Sequence, residues 1–207
     1  MSGQTPSPSI TGIILTGFMG AGKSTAGALL AERLGWRFAD SDALVEARAG
    51  MTVAEIFERL GEPTFRQMEA EVVREAAGLK NSVLALGGGA LDSDATREFL
   101  LSLEGCRVIF LEAPLDTLIG RCAEQANAPV RPVLRDRGGL AARWQARVPL
   151  YRQAHLTVAT AERTPEAVVD CVLAEIHRLE EGDRLVSTGP GPTGQAGKAR
   201  SAGGGRA

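Results

Sequence analysis

The chain has 207 residues, 44 % hydrophobic and 23 % charged, with a formal net charge of −2. That length suits one α/β domain with a real core. The charge excludes a protein that attracts nucleic acid or an anionic membrane through a global basic field, so any pull on anions has to be local. Cys106, Cys122 and Cys171 are widely spaced and odd in number, which is neither a disulfide framework nor a zinc spacing, and reduced thiols in a cytoplasmic protein are expected. His155 and His177 are isolated and read as structural or surface residues. No apolar run reaches membrane-span length, and Met1 to Ser9 lacks the layout of a signal peptide.

In chain order, residues 1–9 are rich in Ser and Pro, and disorder is expected there. An apolar run predicts a strand over Gly12–Thr16. It leads into Gly17-Phe18-Met19-Gly20-Ala21-Gly22-Lys23-Ser24-Thr25, and a helix is expected over Lys23–Leu34. Strand, glycine loop and helix form the context in which Gly-x-x-x-x-Gly-Lys-[Ser/Thr] reads as a phosphate-binding loop. Its backbone N–H groups and the positive helix end would face a polyphosphate. Lys23 would reach the β- and γ-phosphates and Ser24 would hold Mg²⁺, with Gly20, Ala21, Gly22 and Thr25 completing an ATP cradle. A turn that merely joins strand to helix is the plain alternative.

Further strands are expected over residues 36–39, 82–86, 107–111 and Leu156–Ala159, mostly short apolar runs without alternation, as in parallel strands covered on both faces. Helices are expected over residues 53–60, with Thr52 and Glu55 as a capping box, and over 63–77. Others run from an Asp92 cap to Leu103, from Pro114 to about Ala126, and from a Thr164 cap through Pro165. The alternation predicts a five-stranded parallel sheet whose ligands gather at the carboxyl ends of the strands. The folded unit is expected over residues 10–181, followed by a disordered Gly/Pro-rich tail over 182–207.

Several clusters fall at that edge. Asp40-Ser41-Asp42 follows the second strand. If the segment stays extended, the two carboxylates point opposite ways, one towards Mg²⁺ and one towards an attacking hydroxyl. A helix N-cap at Ser41 or Asp42 explains the motif equally well. Gly87, Gly88 and Gly89 follow the third strand and either admit a ligand close to backbone N–H groups or form a turn. Arg66 and Glu69 share a helix face and form either an exposed pair or a held guanidinium that grips a carboxylate. Residues 127–139, rich in Pro, Gly and Arg, read as a lid or as a solvated loop. Arg147, after a short helix, offers one more anion contact.

Together these residues resemble shikimate kinase over about residues 11–178. The resemblance rests on the phosphate loop, Asp-Ser-Asp, Gly-Glu-Pro-Thr-Phe-Arg, Glu69, Gly-Gly-Gly-Ala, Val-Arg-Pro-Val-Leu and Arg-Val-Pro-Leu-Tyr, in the family's order. It implies a three-layer P-loop kinase fold with a mobile lid. It also implies transfer of the ATP γ-phosphoryl to the 3-hydroxyl of shikimate, with one Mg²⁺, on the path to chorismate and the aromatic amino acids. By the same resemblance Asp40 would hold Mg²⁺ through water, and Asp42 would bind the reacting hydroxyl as base or orienter. Arg66 and Arg147 would clamp the substrate carboxylate, Glu69 would orient that side of the pocket, and Gly87, Gly88 and Gly89 would line it. Arg131 would be the lid arginine, and Arg121, Pro132 and Arg163 would lie near the adenine. The segment from Arg121 to Arg131 is a few residues longer than in compact members. A monomer with no nucleic-acid or membrane partner is expected. A gluconate-kinase type of enzyme, with the same loop and another acceptor, is the alternative within the class. A non-catalytic nucleotide switch would have no need of the acceptor-side Asp and Arg residues that this chain keeps.

Overall fold

The computed structural model describes residues 10–124 and 137–187. Its centre is a five-stranded sheet in which every neighbouring pair is parallel. Strand β1 (Gly12–Thr16) lies between β3 (Ser82–Ala85) and β4 (Cys106–Glu112), while β2 (Arg37–Asp40) and β5 (Leu156–Ala159) form the edges. The three inner strands have no polar face because helices cover both sides. Ile13, Ile14, Leu15, Val83, Leu84, Val108, Ile109 and Phe110 are all buried. Burial of each such side chain contributes roughly 1.5–3 kcal/mol, so this inner sheet is the rigid platform on which the loops sit.

Seven helices are described. Helix α1 (Lys23–Leu34) packs against α7 (Pro165–Ser187) and the sheet. Helix α3 (Val53–Ala77) opens with the expected Thr52–Glu55 capping box. The two helices predicted from residue 53 to 77 meet at Gly61, whose φ of 81° and ψ of 164° break the helical path just before Pro63. Helix α4 (Asp94–Ser102) starts later than expected: Ser93 is its cap, because Asp92 belongs to a 3₁₀ turn, Ala90–Asp92, that follows the triple glycine. Helix α5 (Leu115–Glu124) begins after Pro114.

Helices α2 and α6 also depart from what the sequence predicts. Helix α2 (Ser41–Ala49) begins directly at the end of β2. Helix α6 (Arg137–Tyr151) takes in residues 137–139, assigned from sequence to the lid, and carries Arg147 within it despite Pro149. Helix α7 is capped by Thr164, whose hydroxyl accepts the Ala167 N–H at 3.3 Å. It buries Val168, Val169 and Val172 and runs to Ser187, past residue 181 where the folded unit is expected to end. His155 is structural: its Nδ1 accepts the Val108 N–H at 2.9 Å, so its Nε2 carries the hydrogen that faces the Leu101 carbonyl at 3.1 Å. Among the described residues no helix is long and apolar enough to cross a membrane.

Candidate active site

All five strands point their carboxyl ends at one edge, and the loops after β1, β2 and β3 meet there. In the loop after β1, Gly20 and Gly22 have φ of 76° and 87°, in the left-handed region that favours glycine. A Cβ on Gly20 would also lie 2.4 Å from the Leu118 carbonyl, so α5 packs directly on the loop. Gly22 is the N-cap of α1 and brings no side-chain cap. The first N–H groups of α1 therefore face the cleft without a capping side chain, the arrangement that receives phosphate. Lys23 curls over the loop, its Nζ donating to the carbonyls of Gly17 at 2.8 Å and Phe18 at 3.1 Å.

Asp40 joins this loop to the next. The Ser24 hydroxyl donates to Asp40 Oδ2 at 2.6 Å, and Asp40 Oδ1 accepts the Asp42 N–H at 3.0 Å. Asp40 is thus the N-cap of α2. The expectation that Asp40 to Asp42 stays extended, or is capped at Ser41 or Asp42, is corrected: Asp40, itself extended, caps a helix that starts at Ser41, so its carboxylate meets Ser24 from the cap while Asp42 projects from the first helical turn. The buried Ser41 hydroxyl accepts the Gly87 N–H at 2.7 Å, locking α2 to the triple glycine. That bond occupies a donor which the sequence alone leaves open to a ligand. Ser24 and Asp40 present hard oxygen donors beside the loop, which suit Mg²⁺. Among the described residues no group of three or more His, Cys, Asp or Glu gathers to form a protein cage. A cation that keeps waters and phosphate oxygens as most of its ligands needs no such cage.

The triple glycine is required by space. A Cβ on Gly87 would fall 2.5 Å from Asp42 Oδ1 and 2.6 Å from Glu69 Oε1. A Cβ on Gly89 would fall 2.5 and 2.6 Å from the two terminal nitrogens of Arg66 and 2.8 Å from Arg147 Nη2. Two carboxylates therefore converge beside Gly87 and two guanidiniums beside Gly89. Arg66 donates to Glu69 Oε2 at 2.7 Å and to Glu62 Oε1 at 3.0 and 3.3 Å, and its guanidinium lies 5.3 Å from the Phe65 ring centroid. Burial opposes the charge on Arg66, yet Glu69 and Glu62 outweigh it and raise the pKa. Glu69 is only 3 % exposed. Burial raises its carboxyl pKa, Arg66 counters only in part, and Asp42 and Asp92 add to the rise. The pair therefore favours the charged form of Arg66 while the site disfavours the charged form of Glu69. Burial governs at Glu69, because its Oε1 has no hydrogen-bond partner among the described residues. Arg147 reaches Asp92 through Nε at 3.0 and 3.1 Å and Nη2 at 2.6 Å. One turn on, the buried Tyr151 hydroxyl donates to the Gly88 carbonyl, and burial pushes its pKa well above the usual phenol value.

These residues line one cleft of about 300 Å³, with Gly20, Gly22, Lys23 and Ser24 on one wall and Asp42, Arg66, Glu69 and Arg147 on the other. A second cleft, of about 280 Å³, opens beyond the same loop. It is lined by Arg121 and Arg163, and Arg121 donates to Thr160 Oγ1 at 3.1 Å and to the Thr160 carbonyl. Arg131 and Pro132 lie outside the described residues, as does the lid from residue 127 to 136.

A family model described as shikimate kinase matches residues 19–177. The chain belongs to the shikimate kinase family. It is 42 % identical over 168 residues to a shikimate kinase of Pseudomonas entomophila, covering 81 % of this chain and 96 % of that protein. The solved shikimate kinase from Acinetobacter baumannii in complex with shikimate superposes with a TM-score of 0.76 at 36 % identity, over 83 % of this chain and 96 % of that one. A gluconokinase from Sinorhizobium meliloti shares the fold, with a TM-score of 0.59 at 19 % identity over 86 % of this chain and 98 % of that one. At that identity the likeness extends to architecture alone.

Within this shikimate kinase family member, the structure gathers every described residue that the sequence singles out into the two adjoining clefts. Sequence reasoning misses Ser41, Glu62, Asp92, Tyr151 and Thr160 as parts of the site. Glu62 sits four residues before Arg66, a helical spacing that could have revealed it. Asp92 and Tyr151 meet their partners across 55 and 63 residues of chain, and no local pattern announces that.

Proposed function

We infer that this chain is a shikimate kinase, transferring the γ-phosphoryl of ATP to the 3-hydroxyl of shikimate to give shikimate 3-phosphate and ADP. One observation carries the reading beyond family membership: a phosphate loop and a converging Arg66–Arg147 pair line one cleft, and Asp42 lines it too, beside Gly87. An acceptor with one carboxylate and several hydroxyls suits those groups, since Arg grips a carboxylate with paired N–H donors and Asp accepts from a hydroxyl.

In this reading the N–H groups at the start of α1 hold the β- and γ-phosphates. Lys23 exchanges the Gly17 and Phe18 carbonyls for phosphate oxygens. Ser24 and Asp40, the latter through water, would hold Mg²⁺, which would supply neutralisation of phosphate charge. Arg66 and Arg147 clamp the substrate carboxylate beside Gly89, and Glu69 keeps Arg66 in place. That fixes the ring so that its 3-hydroxyl meets Asp42, which orients the hydroxyl and takes its proton as the bond to phosphorus forms. Transfer is direct and in line, without a phosphoenzyme, and rests on positioning and charge neutralisation. Arg131 is assigned to the transferred phosphoryl, and Arg121, Pro132 and Arg163 to the adenine. The protein is proposed to act as a cytoplasmic monomer.

An ADP-release assay with a panel of hydroxy acids tests this. Release that depends on shikimate and stays at background with gluconate is expected, whereas release with gluconate and none with shikimate would overturn the assignment.

A further inference from the structure

We propose that Asp92 is a positioning residue of the acceptor clamp, which fixes the Arg147 guanidinium in the plane that receives the substrate carboxylate. The inference rests on the shikimate kinase reading above. Arg66 is held twice from its own helix, by Glu62 and Glu69. Along α6 Arg147 has the hydroxyl of Tyr151 as a hydrogen-bond partner but, among the described residues, no carboxylate: its charged holder comes from the 3₁₀ turn behind the triple glycine, 55 residues away. A long Arg side chain on a helix samples several rotamers, and a clamp loses force when its members wander. Asp92 removes that freedom by accepting from Nε and Nη2 together, the side-on grip that sets a guanidinium plane.

The grip does not use up the arginine. Nη2 carries two hydrogens, of which one serves Asp92, and Nη1 carries two more. Nη2 also lies 2.8 Å from the point beside Gly89 where both terminal nitrogens of Arg66 converge. Asp92 thus takes one edge of the guanidinium and leaves donors for that shared point. The Arg147 side chain is 18 % exposed and Asp92 37 %, so the pair is partly shielded from water and holds better than a surface pair. The opposite possibility, that Asp92 competes with the substrate carboxylate for Arg147, gives the reverse sign in the same experiment.

The test is steady-state kinetics of full-length Asp92→Ala and Asp92→Asn, alone and with Arg147→Ala. Asp92→Ala should lower kcat/KM for shikimate about tenfold, the effect of losing a charged hydrogen-bond partner. The loss should appear in KM for shikimate, with kcat within about twofold and KM for ATP unchanged. Asp92→Asn keeps the shape and one acceptor oxygen and should fall between wild type and Asp92→Ala. In the Arg147→Ala background, Asp92→Ala should change kcat/KM by less than about twofold, because the residue acts through Arg147. An unchanged or lowered KM for shikimate in both Asp92 variants overturns the proposal, and so does an equal loss in the two backgrounds. If Asp92→Ala does not fold, a wild-type KM in Asp92→Asn overturns it alone. Absence of shikimate-dependent turnover in the unmodified protein would instead remove the reading beneath it.

Discussion

Replacing Gly89 by Ala tests the clamp with a single methyl group. The backbone does not require glycine, since Gly89 has φ of −109° and ψ of 4°, in the bridge region of negative φ that L-residues also adopt. The collision is with side chains. The new Cβ would stand 2.5 Å from Arg66 and 2.8 Å from Arg147, where an ordinary contact begins at 3.4 Å. The guanidiniums must therefore retreat by about 0.6–0.9 Å, a shift of the size that disables a positioned group. They cannot retreat freely, because Glu62, Glu69 and the Phe65 ring hold one and Asp92 holds the other. A misplacement of about 1 Å costs on the order of 10²-fold, or about 2.7 kcal/mol of transition-state stabilisation. The expected result is a ~100-fold loss of kcat/KM for shikimate in a coupled ADP assay. ATP binding should be unaltered, and Tm should move by less than about 4 °C, the shift that ~1 kcal/mol produces in a domain of this size. Wild-type kcat/KM in a folded Gly89→Ala protein would refute the convergence of Arg66 and Arg147 on a bound carboxylate.

Three further outcomes follow from the same geometry. Asp42→Asn should fold and bind ATP yet lose transfer by about 10²–10⁴-fold, the usual weight of a general base; full turnover would remove Asp42 from the chemistry. Ser24→Ala should raise the Mg²⁺ concentration needed for half-maximal rate, because a hydroxyl ligand is lost and Asp40 loses its 2.6 Å partner; an unchanged Mg²⁺ titration would place the ion elsewhere. Glu69→Gln separates stability from function. The folded pKa of Glu69 is raised above the ordinary 4.5, so its favourable contribution is fully present below that value and is lost as pH rises through the folded pKa. At about pH 7.5 the charged Glu69 therefore costs stability, and Glu69→Gln should match or exceed the wild-type Tm while raising KM for shikimate several-fold. A clear fall in Tm at that pH would mean that pairing with Arg66 outweighs burial.

The phosphate loop and the sheet are legible in the sequence because their signals are local. Ile13, Ile14 and Leu15 form an unbroken apolar run before fixed glycines, and both β1 and α1 have the predicted bounds. Pro165 after Thr164 likewise marks the start of α7. Helix α2 gives little warning. Val45, its fully buried apolar anchor, packs on α3, and Arg48 is tied to Glu71 and Glu75 of α3, so tertiary contacts make this helix. Helix α6 contains Gly138, Gly139 and Pro149, residues that locally argue against a helix. From sequence, the triple glycine reads as room for a ligand against the backbone. Its larger role is room for Asp42, Glu69, Arg66 and Arg147, a constraint that exists only once four distant segments meet. Asp92 is hidden for the same reason, since nothing near it in the chain shows that Arg147 will arrive.

The most direct measurement of the central claim is the identity of the phosphorylated product. Incubation of the full chain with ATP, Mg²⁺ and shikimate, followed by phosphorus NMR, should show shikimate 3-phosphate formed in step with ADP. Phosphate on another hydroxyl, or ADP released without any phosphorylated shikimate, would contradict the arrangement of Asp42 and the two-arginine clamp opposite the phosphate loop.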